Sequence, residues 1–406
     1  MPDTISVPWV LIAGGFHWRG GIDCANAELA LYLNRRETPL HLVSYYVDPE
    51  IAQKDNVTCH IVKRPYNSFF LGDLRLHRAG VSVARSVIAC NPGARVLVNG
   101  GNCLWGDLNW VHSVHAAWKC YDRGAPLWFR VKNRITKQIY VRWERRSLRR
   151  ARIVITNSAR TRSEIIEKYG IDSRRVHTVY LGSDRSLAPV EPEARREARE
   201  RFQLPEDAPV VLFVGALSYD NNKGLDTLLA AWRTLYTGRK WDPYLLIAGG
   251  GGAVAWWSDW CSRSGLSDRV RFLGMTDRIS ECLAASDLLV SPVRYEGYGL
   301  NVQEAICSGL AFLVSRSAGI AERIPGYLSE MLLEDPENAA LLADRLLAWR
   351  RNVEGWKSRV ELLRQEFCRY LWSDMAEKMV SLVESSQEGA CIRTGDSLCR
   401  EVVQPN

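Results

Sequence analysis

Ser291–Ile320 reads SPVRYEGYGLNVQEAICSGLAFLVSRSAGI. Glu296 and Glu304 stand eight positions apart in it, with Gly297 and Gly299 between them and the apolar helical run Val302, Ala305, Ile306 just after. Two readings compete. Asn301-x-x-Glu304 resembles a capping box, in which Glu304 closes a helix N-terminus. Alternatively, a carboxylate near a helix start takes ribose hydroxyls while the helix N–H groups face a phosphate.

Outward from this stretch, apolar runs of four to six residues alternate with longer amphipathic stretches, the pattern of βα units around parallel sheets. The first half places strands near Trp9–Ile12, Leu40–Val43, Val96–Val98, Trp110–Val114, Ile153–Thr156 and Val176–Val179. A second series begins at Val210–Val214 and continues through Leu245–Ile247, Val270–Leu273, Leu288–Val290 and Phe312–Val314. The chain of 406 residues exceeds one compact core, and two parallel sheets fit the two series. Ser183–Pro209 is charged and punctuated by proline, a linker composition with a short helix over Glu193–Phe202. The run Trp349–Glu384 is long and amphipathic, and the polar tail after it is expected to be disordered.

Composition excludes several classes. Apolar content of 47% and charge of 24% mark an ordinary globular protein. Eleven cysteines without a CxxC pair or metal-ligand spacing imply a reducing cytoplasm and no metal site. The start, MPDTISVPWVLIAGG, lacks a basic region ahead of an apolar run, so no signal peptide is expected. The longest apolar runs, such as Tyr244–Trp257, are interrupted by glycines, so any membrane association is expected to be peripheral. The net charge of +7 is uneven, with a basic run near Arg142–Arg152 that suits an anionic membrane surface or, as the plainer alternative, a solvated helix face. No nucleic acid is expected.

Several loops at strand ends carry candidate ligand groups. In AGGFHWRGGIDCANAELALYL, Gly20 and Gly21 permit a tight turn and close backbone approach to a phosphate; the pattern is not GxGxxG, so it does not read as a nicotinamide site. In WVHSVHAAW the two histidines alternate faces on a strand, so they are no metal pair; His115 is favoured for the cleft because Ala116 and Ala117 leave room. VLFVGALSYDNNKGLDTLLAAW places Lys223 on a glycine-bearing loop, where an ammonium can neutralise a diphosphate. RVRFLGMT ends a strand at Gly274, where main-chain groups can read a nucleobase.

YEGYGLNVQEAICSG, with Glu296 and Glu304, resembles the E-x7-E motif of the retaining glycosyltransferases of family 4. RGGIDCANAELALYL, SVHAAW, RRARIVITNSARTRSEIIEKYGID, VYLGSD, FVGALSYDNNKG and SAGIAERI fall in the order expected of that family. The resemblance implies a GT-B fold, α/β, with two Rossmann-like domains whose parallel sheets face across a cleft. Its divisions would be an acceptor-side domain over 1–182, a linker over 183–209, a nucleotide-sugar domain over 210–365, a helix crossing back over 366–385 and a tail over 386–406. It assigns Glu296 to donor-sugar hydroxyls, Glu304 to the ribose, and the backbone N–H groups of Gly299 and Leu300 to the phosphates. Lys223 would hold the diphosphate, Gly20 and Gly21 would close over it, and His115 would lie by the reacting sugar.

The implied activity is metal-independent hexosyl transfer from a UDP- or GDP-sugar, with no cofactor, to a glycan, lipid-linked or small-molecule acceptor in polysaccharide or glycolipid synthesis. One position departs: Ala216 stands where family members commonly carry arginine, leaving one cation for the diphosphate unless Arg160 or Arg162 moves in. Two other readings stay open, a nucleotide-sugar epimerase on the same fold and a weakened sugar-nucleotide-binding protein of a membrane assembly complex.

Overall fold

The computed structural model describes residues 7–65, 69–122, 124–237 and 241–398. Its first sheet contains β1 Trp9–Ile12, β2 Leu40–Ser44, β3 Val57–Ile61, β4 Arg95–Asn99, β5 Leu108–Val111, β6 Ile153–Thr156 and β7 Val176–Thr178. They lie parallel in the order β3-β2-β1-β4-β5-β6-β7. The second sheet contains β8 Val210–Val214, β9 Tyr244–Ala248, β10 Val270–Gly274, β11 Leu288–Ser291, β12 Ala311–Ser315 and β13 Leu332–Leu333, parallel in the order β10-β9-β8-β11-β12-β13. β1, β5, β6, β11 and β12 are buried along their whole length, which explains why they read as continuous apolar runs rather than alternating ones.

The strand order reverses between β1 and β4 and again between β8 and β11. Loops leaving the carboxyl ends of strands at such reversals form the ligand crevice of an open α/β sheet. Gly14–Gly21 leaves β1, Gly215–Lys223 leaves β8, and Pro292–Gly299 leaves β11. The topology therefore gathers these three stretches.

Several elements differ from expectation, among them the two-residue edge strand β13, which has no expected counterpart. β3 has no counterpart among the expected strands, because VTCHI mixes polar Thr58 and His60 into an edge strand that is only partly covered. β5 ends at Val111 rather than Val114, and the Val114 N–H leaves the ladder to donate to the Tyr295 hydroxyl of the second domain at 2.7 Å. The segment read as a linker is pinned to the second domain over its helix Pro192–Arg201. There Arg199, 2% exposed, donates to the carbonyls of Ala285, Pro205, Glu206 and Ala208 and pairs with Asp287.

At the C-terminus, Val353–Arg369 is one helix, packed on the Leu300–Cys307 helix, so the break that begins the crossing helix falls at Tyr370–Leu371 rather than at 366. The last helix, Trp372–Leu398, returns to the first domain, where it packs on the Gly21–Arg35 helix and where Arg152 donates to Ser386 Oγ at 2.7 Å. It runs through much of the expected disordered tail, as a helix already nucleated by packing extends at low cost; 399–406 lie outside the described residues. Among the described residues no helix is long and apolar enough to cross a membrane.

Candidate active site

The loop after β11 meets the end of β5 across the cleft, and a glycine makes the meeting close. A Cβ on Gly297 would stand 1.9 Å from the His112 carbonyl oxygen and 3.3 Å from Ser113 Cα, so no other residue fits there without moving backbone. The Gly297 carbonyl accepts from Ser158 Oγ at 2.7 Å and Thr161 Oγ1 at 3.2 Å. The Tyr295 hydroxyl accepts from Val114 N and donates to Glu164 at 3.0 Å. Glu322 reaches over from the second domain to accept from Ala159 N at 2.7 Å and Arg160 N at 2.9 Å, a carboxylate at the positive end of the Ala159–Tyr169 helix.

Glu296, held in this frame, forms an ion pair with Lys223. The ammonium is positioned by a short turn, Asn221–Lys223, that is stitched to the same loop. Asp220 accepts from Asn222 N at 3.0 Å, Asn222 Nδ2 donates to the Tyr295 carbonyl at 2.8 Å, and Arg294 N donates to the Asn222 carbonyl at 2.8 Å. Both charged groups keep partial solvent access, with 32% of the Lys223 side chain and 26% of the Glu296 side chain exposed.

The Leu300–Cys307 helix starts at Gly299, whose φ of 117° lies in the region that glycine adopts without strain. The N-cap therefore carries no side chain, and Asn301 sits inside the first turn with its Nδ2 donating to the Val214 carbonyl at 3.3 Å. No capping box forms, and that reading of Glu304 is set aside. Glu304 lies one turn on, half-buried, its carboxyl pushed up to about 7 by burial and by the negative charge of Asp184. The Leu300 and Asn301 N–H groups at its start have no intrahelical acceptor, whereas those of Val302 and Gln303 donate to the Gly299 carbonyl.

Opposite that start stands the glycine turn of the first domain. Gly20 caps the Gly21–Arg35 helix, and a Cβ on Gly21 would be 3.4 Å from Leu300 Cδ2. Gly20, Gly21, Gly299 and Leu300 are thus neighbours, although most of the first domain, the linker and the strands β8 to β11 of the second separate them in sequence. Gly274 is placed apart from them, at the end of the outer strand β10, where its carbonyl accepts from Gly249 N at 2.9 Å.

His115 belongs to a network of its own. Its Nδ1 is 3.1 Å from Glu144 Oε1, its backbone N–H donates to Glu144 Oε2 at 2.9 Å, and its ring stacks on Tyr140 with centroids 5.3 Å apart. Asp73 closes the group by accepting from the hydroxyls of Tyr45 at 2.7 Å and Tyr140 at 2.8 Å. Burial opposes the imidazolium, but the charge and hydrogen bond of Glu144, helped by Asp73, outweigh it and raise the His115 pKa above the ordinary 6.5. His112 is the converse, packed on Trp110 at 4.4 Å between ring centroids and pushed down to about 3 by burial. The two rings separate, but beyond the strand end at Val111, so the loop rather than strand alternation sets their directions.

Because the folded-state pKa of His115 lies above its unfolded value, the stability contributed by its charged form is fully present below about 6.5 and lost as pH rises through the folded value. Glu144→Gln is expected to bring the His115 titration, followed by NMR of the imidazole, back toward or below 6.5. The stability gap between variant and wild type that depends on this charge then narrows with rising pH. An unmoved titration would mean that Glu144 does not hold the proton on His115.

Sequence reasoning missed Tyr295, Ser158, Thr161, Glu144, Asp73 and Glu322. Glu144 left one trace, as the sole carboxylate of the helix Leu127–Arg150; the others are ordinary residues until the fold brings them to the cleft. The arginines considered as replacements at Ala216 are otherwise engaged. Arg160 donates to Glu164 at 2.9 Å and to the Arg316 carbonyl at 3.2 Å. Arg162 donates to the carbonyls of Val176 and Ser173, at the opposite end of β7 from the cleft.

Two facing Rossmann-like domains, with an acidic and a basic side chain at a helix start between them, define a GT-B glycosyltransferase. The family model described as Glycosyltransferase Family 4 matches residues 19–187, and that described as Glycosyl transferases group 1 matches residues 194–361. The chain belongs to family 4. It is 28% identical to D-inositol 3-phosphate glycosyltransferase 2 of Catenulispora acidiphila over 81% of this chain and 80% of that protein. It is 25% identical to an uncharacterised glycosyltransferase of Methanocaldococcus jannaschii over 58% of this chain, spanning 60% of that protein's length. The fold is shared with WaaG, a glycosyltransferase involved in lipopolysaccharide biosynthesis, at a TM-score of 0.73 and 17% identity over 92% of this chain and 99% of that one. Anabaena HepE in complex with UDP-glucose aligns at a TM-score of 0.70 and 15% identity, over 93% of this chain and 99% of that one.

Proposed function

We propose that this chain transfers a hexose from a UDP- or GDP-sugar to a glycan, lipid-linked or small-molecule acceptor, with retention at the anomeric carbon. The reading places it in the cytoplasm, in cell-surface polysaccharide or glycolipid synthesis, with an anionic membrane surface as a further partner of the basic run near Arg142–Arg152. The observation that carries it is the Lys223–Glu296 pair at the start of the Leu300–Cys307 helix, opposite Gly20 and Gly21. Breaking the glycosidic bond builds negative charge on the departing diphosphate, so the main catalytic task is to stabilise that anion. The Lys223 ammonium and the N–H groups at Gly299 and Leu300 take it. In this reading they fill the place of a divalent cation, and no cofactor enters.

Glu296 takes hydroxyls of the donor sugar and Glu304 those of the ribose. Gly20 and Gly21 let backbone close over the phosphates, Gly274 offers main-chain groups to the base, and His115 stands on the acceptor side by the reacting sugar. The relative that carries an inositol-phosphate glycosyltransferase name and the HepE structure with UDP-glucose support a nucleotide-sugar donor and a hydroxyl acceptor.

The test is Glu296→Ala. The variant is expected to bind UDP or GDP as the wild type does, by calorimetry, and to lose transfer by at least about 100-fold. Unchanged turnover would remove Glu296 from the site. The anomeric configuration of the product, read by proton NMR, decides retention.

A further inference from the structure

Resting on the reading of this chain as a sugar transferase, we infer that the helix Leu127–Arg150 is a bilayer-docking element: its first half inserts apolar side chains among lipids and its second half holds anionic headgroups. The helix leaves four large apolar side chains in solvent, Leu127 at 72% exposure, Trp128 at 63%, Val131 at 50% and Ile135 at 58%. At 100° per residue they fall on one stripe. Arg142, Arg145, Arg146, Arg149 and Arg150 are exposed on the continuation of that stripe toward the C-terminus. Apolar and cationic character are therefore segregated along the axis of one exposed face. The apolar stretch Leu127–Ile135 and the cationic stretch Arg142–Arg150 are each roughly 12 Å long at 1.5 Å per residue.

Charge points to an anionic partner, and its distribution points to a bilayer. The helix's one carboxylate, Glu144, is 1% exposed and turned inward to His115 and Tyr169, so the exposed face carries no negative charge. Lys132 and Arg134 flank the apolar patch, as headgroup-binding side chains flank an inserted segment. Tryptophan at the apolar end suits the boundary between headgroups and acyl chains. Phe70 and Leu71 extend the apolar surface onto the helix Phe69–Cys90, with Phe70 6.2 Å from Trp143 between ring centroids. The same two helices carry Asp73, Tyr140 and Glu144, which surround His115. Docking through this face sets the acceptor side of the cleft beside the membrane surface, which fits a lipid-linked acceptor whose sugar or headgroup stands clear of the bilayer.

The experiment is co-sedimentation of the full chain with phosphatidylcholine vesicles, with and without phosphatidylglycerol, while UDP and GDP binding is followed separately by thermal shift. The wild type is expected to sediment with the anionic vesicles, far less with neutral ones, and less as salt rises. Arg145→Gln with Arg149→Gln should lower the vesicle partition coefficient about 25-fold, near fivefold for each charge. Trp128→Ser with Ile135→Ser should lower it about tenfold or more and abolish the blue shift of tryptophan fluorescence on binding. Both double variants should keep the nucleotide-dependent thermal shift.

No sedimentation, or equal sedimentation on neutral vesicles that neither double variant alters, overturns the inference while leaving the transferase reading untouched. A dimer in light scattering that Trp128→Ser with Ile135→Ser dissolves, with no vesicle binding, overturns it in favour of self-association. Vesicle binding as expected, without a thermal shift on either UDP or GDP in the wild type, sinks the donor site instead.

Discussion

Lys223→Ala is expected to lower kcat/KM for transfer by about 100- to 1,000-fold, the cost of removing one preorganised donor from a developing anion. Affinity for UDP or GDP should fall by less, about 10- to 150-fold, because a charge-assisted contact to the bound diphosphate contributes roughly 1.5–3 kcal/mol. The gap between the two effects is the diagnostic. The ammonium is stitched to the Glu296 loop through Asn222, so its removal also deprives a partly buried carboxylate of its partner. Arg160 and Arg162 are bonded elsewhere, so neither is placed to share the load with Lys223. Calorimetry and steady-state kinetics on the same preparation separate the two quantities; unaltered affinity and turnover would place the diphosphate elsewhere.

Gly297→Ala is the second large effect, and it touches no substrate. The added methyl would overlap the His112 carbonyl, which stands 1.9 Å from the Cβ position, and both groups are main chain. The loop bearing Glu296 must then back away from the first domain, loosening the Gly297 carbonyl from Ser158 and Thr161 and Tyr295 from Val114. A displacement near 1 Å at a reacting centre costs about 100-fold, and that is the expected loss in kcat/KM. UDP affinity should fall by less, because Leu300 and Glu304 lie downstream in the Leu300–Cys307 helix and, of the groups assigned to the phosphates, Lys223 is the one paired with the displaced loop. A kcat/KM within a few-fold of wild type would mean that the contact between His112 and Gly297 does not set the geometry of transfer.

The two predictions exploit different kinds of legibility. Lys223 and Glu296 are visible in sequence because each sits on a glycine-bearing loop at the end of an apolar strand, and the topology of parallel sheets sends such loops to one edge. The reach of Gly297 into the other domain is invisible, since nothing in YEGYG says what lies 1.9 Å away. The same limit explains the rest. Asn301-x-x-Glu304 spells a capping box, yet the backbone starts the helix two residues earlier, at Gly299. The linker composition of Ser183–Pro209 conceals Arg199, which becomes a buried anchor only once Asp287 and four carbonyls surround it. The basic segment reads as cationic from its composition, whereas its division into an apolar exposed half and an arginine half depends on which side of the helix faces the core.

What the sequence determined by itself is what period and local chemistry encode. Continuous apolar strands alternating with amphipathic helices required two parallel sheets, and turn-forming glycines at the strand ends marked the loops that carry Lys223, Glu296 and Gly20–Gly21. Only the tertiary structure decided which loops meet, that His115 takes its charge from Glu144 while His112 is buried uncharged, and that Glu304 titrates near neutrality beside Asp184. The reason is one of range. Backbone preference acts over a few residues, whereas the desolvation and Coulomb interactions that set a site's charge state act between residues that the chain separates and the fold brings within a few ångströms.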